Sequence, residues 1–228
     1  MRDEVRERID RTILILYRDF LKNLTPLYPL NPKIVFCMLV PDSCRVVSYQ
    51  SLAITQHRNV LDIMEAFGSE DGCTHYDPKT GRCLVTYNNN GYRPRIRWTL
   101  AHELGHILCG HFHELYDSGR RELSDELWQS MEEEADYFAA SLLAPFPAIR
   151  KMNVQSAEDI SRLFGLSAAA ANRRMYEFLK TPVPNDDELE ECFLTIRRSV
   201  SPVTYRKPRY HDNFRSDSEI LREESATE

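Results

Sequence analysis

Apolar side chains recur at intervals of three and four along the start of the chain, as one face of an amphipathic helix requires. These positions are Val5, Ile9, Ile13, Leu16, Tyr17, Phe20 and Leu21. The pattern predicts a helix over Arg2–Leu24. After further prolines, the apolar run Ile34–Val40 is short and bounded by Pro32 and Pro41. This run predicts a buried strand.

Turn signals then separate short apolar segments in the middle of the chain. A helix is expected to end at Phe67, because Gly68 is a residue type that terminates helices readily. The turn signature Asp77–Gly81 lies between Gly72–Tyr76 and Cys83–Tyr87, which predicts a β-hairpin. The strand Cys83–Tyr87 is either an exposed edge, to which a peptide substrate could add by β-pairing, or an interior strand.

Two longer helical patterns follow, over about Ile96–Gly110 and Ser124–Ala144. Beyond them, Ala157–Phe164 and Ala168–Leu179 predict two helices around a tight turn at Gly165, a helix-turn-helix-like arrangement. Together with the small sheet, these elements predict an α+β fold.

Three parts are expected along the chain. Residues 1–149 form the main domain, residues 150–181 form the helix-turn-helix-like module, and residues 182–228 form the third part. In that third part only Cys192–Ile196 has the pattern of a short strand, and the polar residues after Ser199 predict a flexible tail.

Composition and charge exclude several classes of protein. The chain has 228 residues with 29 basic and 35 acidic side chains, a net charge of −6, which does not suit a general nucleic-acid coat. No stretch is apolar for long enough to span a membrane. The six cysteines are scattered without a Cys-x-x-Cys pair, which is typical of reduced thiols in the cytoplasm.

Candidate chemistry begins with the sequence His-Glu-Leu-Gly-His over residues 102–106, inside a helical pattern. Helical residues four apart lie on one face, so His102 and His106 can hold one zinc ion. Glu103 lies beside the first histidine and is placed to act as general base toward an attacking water. The alternative without a metal site is a pair of ordinary helix histidines around a surface glutamate.

A catalytic zinc usually takes three protein ligands, and the best third candidate lies on the next helix. Among three consecutive glutamates, Glu132 lies nearest the apolar face of that helix, Glu133 faces water, and Glu134 is the next alternative. Asp136, one turn beyond Glu132, is suited to hold a ligand histidine through its second ring nitrogen. The other interpretation of this segment is a solvated acidic patch.

Other side chains close to His106 are weaker candidates. Cys109 is expected to be a packed thiol. On a continuous helix, at about 100° per residue, His111 points about 140° away from His106. His113 shares the face of His106 but lies about 10.5 Å further along the helix axis, too far for the same ion.

The two segments Arg95–Leu108 and Glu132–Pro145 resemble the ImmA/IrrE family of zinc metallo-endopeptidases, and the similarity covers roughly residues 34–180. The resemblance implies a zincin-like fold, one zinc ion held by His102, His106 and Glu132, and Glu103 as the general base. The chain departs from the family pattern in two places: Asp136 stands where the family often has Asn, and Ala144 where it often has Met.

The resemblance also implies a setting and a substrate. Peptidases of this kind are cytoplasmic, bacterial or phage-derived, and cut a helix-turn-helix transcriptional repressor of a mobile element or a stress response. Composition and spacing carry no information on that substrate.

Three roles are open for the helix-turn-helix-like module: packing against the peptidase, docking of a repressor substrate, or contact with DNA. Arg173 and Arg174 are the candidate substrate or DNA contacts. Ala168–Ala171 offers no side chain that reads bases, so nucleic acid is the least favoured partner.

Two rivals to the peptidase interpretation are open. A regulatory binding protein could keep the zinc fold and act by sequestering a repressor or touching DNA. The zinc could also be purely structural, although three ligands plus an adjacent glutamate suit an open catalytic site better.

Overall fold

The computed structural model of the chain describes residues 2–21, 28–39, 43–112 and 124–181. Within these residues the helices are α1 (Asp3–Ile15), α2 (Pro32–Leu39), α3 (Tyr49–Thr55), α4 (Val60–Phe67), α5 (Arg93–Leu108), α6 (Asp125–Leu143), α7 (Phe146–Lys151), α8 (Ala157–Phe164) and α9 (Ala168–Lys180). The strands of the same residues are β1 (Cys44–Ser48), β2 (Gly72–Asp77) and β3 (Arg82–Tyr87). This mixture confirms the predicted α+β class. The predicted strand Cys192–Ile196 and the tail after Ser199 lie outside the described residues.

The described strands form one sheet in the order β1-β3-β2. Strand β3 runs parallel to β1, with Cys44 beside Cys83, and antiparallel to β2, with Cys73 beside Thr86. The hairpin prediction is therefore confirmed. The interpretation of Cys83–Tyr87 as a sheet edge is wrong, because β1 pairs with the side of β3 that β2 leaves open.

The run Ile34–Val40, predicted as a strand, lies in helix α2 over its described residues. Asn31 starts the helix: its side-chain Oδ1 accepts a hydrogen bond from the backbone N–H of Lys33 at 3.1 Å. Pro32 is the first helical residue, where its missing N–H has no helical partner to lose. By periodicity, an unbroken apolar run fits a helix or a strand equally well. The helix-start residues Asn31 and Pro32 are the local features that favour the helix here.

Helix α1 and the π-helical turn Leu16–Leu21 hold the amino-terminal segment against α6. Most of the predicted apolar face is buried, at Ile9, Ile13, Leu16, Tyr17 and Leu21, whereas Val5 is half-buried and Phe20 is exposed. The Tyr17 hydroxyl donates a hydrogen bond to the backbone carbonyl of Leu142 near the end of α6. The predicted helix is thus confirmed as far as it is described, since residues 22–24 lie outside the described part.

Helices α5 and α6 pack closely against each other and carry the histidine motif and the glutamates. Gly105 permits the approach, because a Cβ built there would lie 3.1 Å from Ala135 Cα and 3.2 Å from Phe138 Cβ. Helix α6 begins where predicted: the Ser124 side chain accepts a hydrogen bond from the backbone N–H of Leu127 at 3.3 Å. No described helix combines the length and hydropathy needed to cross a membrane.

The helix-turn-helix-like pair α8–α9 forms as predicted, with Gly165 in the left-handed region at φ +69°. Its apolar side chains belong to the same hydrophobic core as those of α1, α5 and α6. The pair therefore packs against the rest of the molecule, one of the three roles considered. The predicted boundary between residues 149 and 150 falls inside α7, while residues 182–228 lie outside the described part.

Candidate metal centre

Two histidines on α5 face each other across one helical turn. His102 and His106 have their Nε2 atoms 3.0 Å apart. Their side chains are only 16% and 9% exposed. Leu100 and Leu104 on the same helix are fully buried in the core, so the helix is fixed with both imidazoles on the side that faces α6.

Glu132 on α6 completes a triangle of donor atoms with the two histidines. Its Oε2 lies 3.3 Å from His102 Nε2, and its Oε1 lies 3.3 Å from His106 Nε2. Ligands of a tetrahedral zinc ion with bonds of about 2.0–2.1 Å lie about 3.3–3.4 Å from one another. Two imidazole nitrogens and one carboxylate at these separations therefore fit a zinc ion in both chemistry and spacing.

Asp136, one turn beyond Glu132, holds the first histidine from behind. Its Oδ1 lies 3.0 Å from His102 Nδ1. When His102 binds a metal through Nε2, its remaining proton is on Nδ1 and is donated to this carboxylate. The predicted position of Asp136 relative to His102 is the one that the structure shows.

His111 holds the second histidine, which the sequence pattern did not predict. Its Nδ1 lies 2.9 Å from His106 Nδ1. The prediction that His111 points away from His106 is wrong, because α5 ends at Leu108 and Gly110 turns the chain at φ +80°. A glycine shortly after a helical pattern is a signal for such an end.

A second group of potential ligands lies behind this histidine pair. Cys109, His111 and Glu134 have donor atoms within 4.8 Å of one another. Glu134 Oε2 lies 3.5 Å from His111 Nε2 and also accepts a hydrogen bond from the Arg8 guanidinium at 2.9 Å. Glu134, the alternative third ligand, thus belongs to this second group, and Arg8 on α1 supplies the positive charge that pairs with its carboxylate.

Hydrogen bonds and burial act in opposite directions on the pKa of His102. Burial alone would lower the pKa of His102, but hydrogen bonds with Asp136 and Glu132 outweigh it and raise the pKa to about 9. Hydrogen bonds with both motif histidines hold the pKa of Glu132 well below its usual range. Burial and the neighbouring His106 lower the pKa of His111 to about 3, so that His111 is neutral at pH 7.

The donor triangle opens into a cleft of about 540 Å³ between β2, α5 and α6. Glu103 lines this cleft and is 8% exposed. Its lining includes the apolar residues Phe112, Trp128 and Met131 and the first residues of β2, Gly72–Thr74. The cleft thus combines a carboxylate, the donor triangle and a strand edge in one accessible space.

The two arginines suggested as substrate or DNA contacts have different environments. Arg173 is exposed and forms a salt bridge with Glu177 at 3.1 Å. Arg174 is only 2% exposed, and its guanidinium donates to the carbonyl of Ala144 at 2.8 Å and to Ser141 Oγ at 3.3 Å. The prediction of a surface contact is wrong for Arg174, because this side chain fixes α9 to the end of α6.

Comparison with known protein families identifies the family of the chain. Residues 55–176 match the family model Peptidase_M78, described as the IrrE N-terminal-like domain. The chain belongs to this peptidase family. Peptidase_M78 proteins are metallopeptidases, in agreement with a donor triangle that could hold a metal ion. A search of curated proteins finds no significant match.

The matched region contains β2, β3, α5 and α6, and therefore every residue of the donor triangle. It ends inside α9 and includes the helix-turn-helix-like pair. Helix α1 lies before it, so that Arg8 reaches Glu134 from outside the region that the family model covers.

Proposed function

We propose that the chain is a zinc-dependent endopeptidase. His102, His106 and Glu132 would hold one zinc ion per chain, and Glu103 would be the general base. The observation that carries the proposal is the triangle of Nε2 and carboxylate atoms, 3.0–3.3 Å apart, in the same cleft as Glu103. A zinc ion supplies a Lewis acid that polarises a carbonyl oxygen and lowers the pKa of water.

The residues around the triangle have distinct tasks in this reaction. Asp136 keeps the proton of His102 on Nδ1 and fixes the orientation of that ring. Glu103, next to His102 on α5, accepts the proton of the attacking water and later delivers it to the leaving amine. Its low exposure keeps bulk water from competing for that proton.

The geometry of the cleft supports an extended peptide as substrate. Among the described strands none pairs with the outer edge of β2, whose residues Gly72, Cys73 and Thr74 line the cleft. A peptide that adds to this edge would run past the donor triangle, with its carbonyl groups fixed by backbone hydrogen bonds. The edge role considered for Cys83–Tyr87 thus passes to β2, and Trp128 and Met131 form an apolar wall for a substrate side chain.

The substrate is, in this proposal, a helix-turn-helix transcriptional repressor of a mobile element or a stress response in the bacterial cytoplasm. The resemblance of the segments Arg95–Leu108 and Glu132–Pro145 to the ImmA/IrrE family supports it. DNA contact is not part of the proposal, because Arg174 is buried and the first turn of α9 carries only alanines.

The test is cleavage of purified repressors and of a quenched fluorescent peptide library by the full chain, with and without added zinc. Glu103→Gln should lower turnover by about 10²–10⁴-fold while metal content stays at the parent level. Glu133→Gln, which changes an exposed carboxylate on α6, is the matched control and should cleave like the parent. If a repressor is inactivated equally by the parent and by Glu103→Gln, sequestration replaces proteolysis as the function.

A further inference from the structure

His106 is held from behind by a second imidazole. We propose that His111 is a positioning residue for the ligand His106, and that Glu134 and Arg8 fix His111 in turn. The inference rests on the proposed function, since it assigns an outer partner to one ligand of the zinc site. It extends the site from the histidine motif to helix α1.

The protons on the two rings follow from the direction in which His106 must bind. A metal at the donor triangle needs an unprotonated Nε2, so His106 carries its proton on Nδ1. At 2.9 Å, that Nδ1–H donates to His111 Nδ1, which therefore acts as an acceptor. His111 then carries its own proton on Nε2, the atom that faces Glu134 Oε2 at 3.5 Å. Each contact thus has one donor and one acceptor.

The local backbone holds His111 in this place. Helix α5 ends at Leu108, and Gly110 adopts the left-handed conformation at φ +80° just before His111. The His111 side chain is only 3% exposed, so water does not replace it as the partner of His106. The arrangement parallels that of His102, whose Nδ1 donates to Asp136. Both ligand imidazoles therefore have an acceptor of their own, a carboxylate for one and a histidine for the other.

Arg8 is the outermost member of this arrangement. Its guanidinium donates to Glu134 Oε2 at 2.9 Å, and the Glu134 side chain is 12% exposed. The ion pair restricts rotation of the Glu134 side chain, so that the acceptor facing His111 stays in place.

The same residues, together with Cys109, could instead hold a second metal ion. Two observations favour positioning. The Arg8 cation already occupies Oε2 of Glu134, and a divalent ion there would meet its charge at close range. His111 would also have to keep its contact with His106, one of the ligands of a first cation. Binding of a second ion is therefore an outcome that the test distinguishes.

The experiment measures metal binding by the metal-free full chain, with no substrate. Zinc affinity is obtained by competition with a chromophoric chelator, and the ligand field from the visible spectrum of the cobalt(II) form. His111→Leu removes the acceptor and should weaken zinc binding about 10–100-fold and shift the cobalt bands. His111→Asn places an amide Oδ1 close to the position of Nδ1 and should recover most of the affinity and the parent spectrum.

His111→Gln serves as a second variant if His111→Leu fails to fold. Its amide lies further out and leaves no acceptor at the Nδ1 position, so it should behave like His111→Leu in both readouts. Thermal unfolding of each metal-free variant separates loss of the fold from loss of positioning.

Three results would overturn the inference. If His111→Leu and His111→Gln are folded and bind zinc with the parent affinity and spectrum, His111 has no role toward His106. If the parent binds two zinc ions and His111→Leu binds one, the group is a second metal site. If the parent binds no zinc, the proposed function fails and this inference fails with it. If the parent binds zinc and the folded His111 variants bind it equally well, only the role of His111 fails.

Discussion

Two groups of potential metal ligands lie side by side, one on α5 and α6 and the other on α6 and the residues that follow α5. They differ in what surrounds them. In each group three donor side chains lie within 4.8 Å of one another. In the first, Glu132 is 38% exposed in the cleft and faces two imidazole Nε2 atoms. In the second, Glu134 is 12% exposed and is bound by the Arg8 guanidinium. Proximity of ligand types therefore does not by itself distinguish a metal site.

The difference between the two groups lies in counter-charge and in the state of the ligands. Among the residues that the structure describes, the ion-pair contacts of the Glu132 carboxylate are with His102 and His106, so a bound cation would be stabilised there. Burial, and then the neighbouring Glu134, raise the pKa of the Cys109 thiol to about 12, so that it stays protonated at pH 7. A thiol binds metal as the thiolate, and the second group therefore lacks a ready anionic ligand.

The largest effect is expected when Glu132 is replaced by alanine. Loss of a direct ligand should weaken zinc binding by more than about 100-fold, since even outer partners contribute 10–100-fold. Elemental analysis after dialysis should find one zinc per chain in the parent and almost none in Glu132→Ala. Glu133→Ala, which removes the exposed neighbouring carboxylate on the same helix, is the control and should retain the metal. Full zinc content in Glu132→Ala would move the third ligand to Glu134.

A smaller loss is expected at Asp136, which contacts His102 Nδ1 at 3.0 Å. Asp136→Leu removes the acceptor and should weaken zinc binding about 10–100-fold. Asp136→Asn keeps an oxygen acceptor, and its zinc affinity should stay near that of the parent when both are measured at about pH 9, where little of the His102 proton remains to be displaced. This agrees with the Asn that the ImmA/IrrE family often has there. Equal losses in both variants, measured by chelator competition, would mean that charge and not hydrogen bonding is what Asp136 contributes.

Much of the scaffold could be predicted because its signals are local. Gly68 and Gly165 end helices, Ser124 starts α6, and the turn Asp77–Gly81 joins two strands, each through chemistry within a few residues. The histidine motif and the ligand candidates on α6 were found for the same reason, since helical spacing alone places them on defined faces.

The features that the sequence left open or predicted wrongly depend in two cases on distant parts of the chain and in one case on the turn at Gly110. Whether β3 lies at the edge of the sheet depends on its pairing with β1, whose residues come about 40 positions earlier in the sequence than their partners in β3. Arg174 looked like a surface residue because its partners, Ser141 and Ala144, lie at the end of another helix. His111 was assigned the wrong direction because a continuous helix was assumed beyond Gly110.

The pH dependence of zinc binding tests whether His102 in the first group carries a proton that zinc must displace. In the metal-free protein the pKa of His102 is about 9, because hydrogen bonds with Asp136 and Glu132 outweigh burial. Below that pH zinc must displace the His102 proton, so affinity should rise about tenfold per pH unit from pH 7 toward 9. Calorimetry in buffers of different ionisation enthalpy should detect release of that proton at pH 7.

Asp136→Asn provides the control for this prediction. With the charged acceptor of His102 gone, the pKa of His102 should fall, and zinc affinity should level off at a lower pH than in the parent. Zinc affinity that is constant in the parent between pH 7 and 8.5 would show that His102 carries no proton there.

The smallest effect is expected at Cys109, where the two groups of ligands are compared most directly. Cys109→Ala removes the only thiol of the second group, and zinc stoichiometry and affinity should both stay at the parent values. The free energy of unfolding should fall by about 1 kcal/mol, as for a partly buried side chain that loses packing contacts. Chelator competition and denaturant unfolding on the same preparation check both parts. A drop in zinc stoichiometry would mean that a thiolate forms at Cys109 when metal is present and that the second group is itself a site.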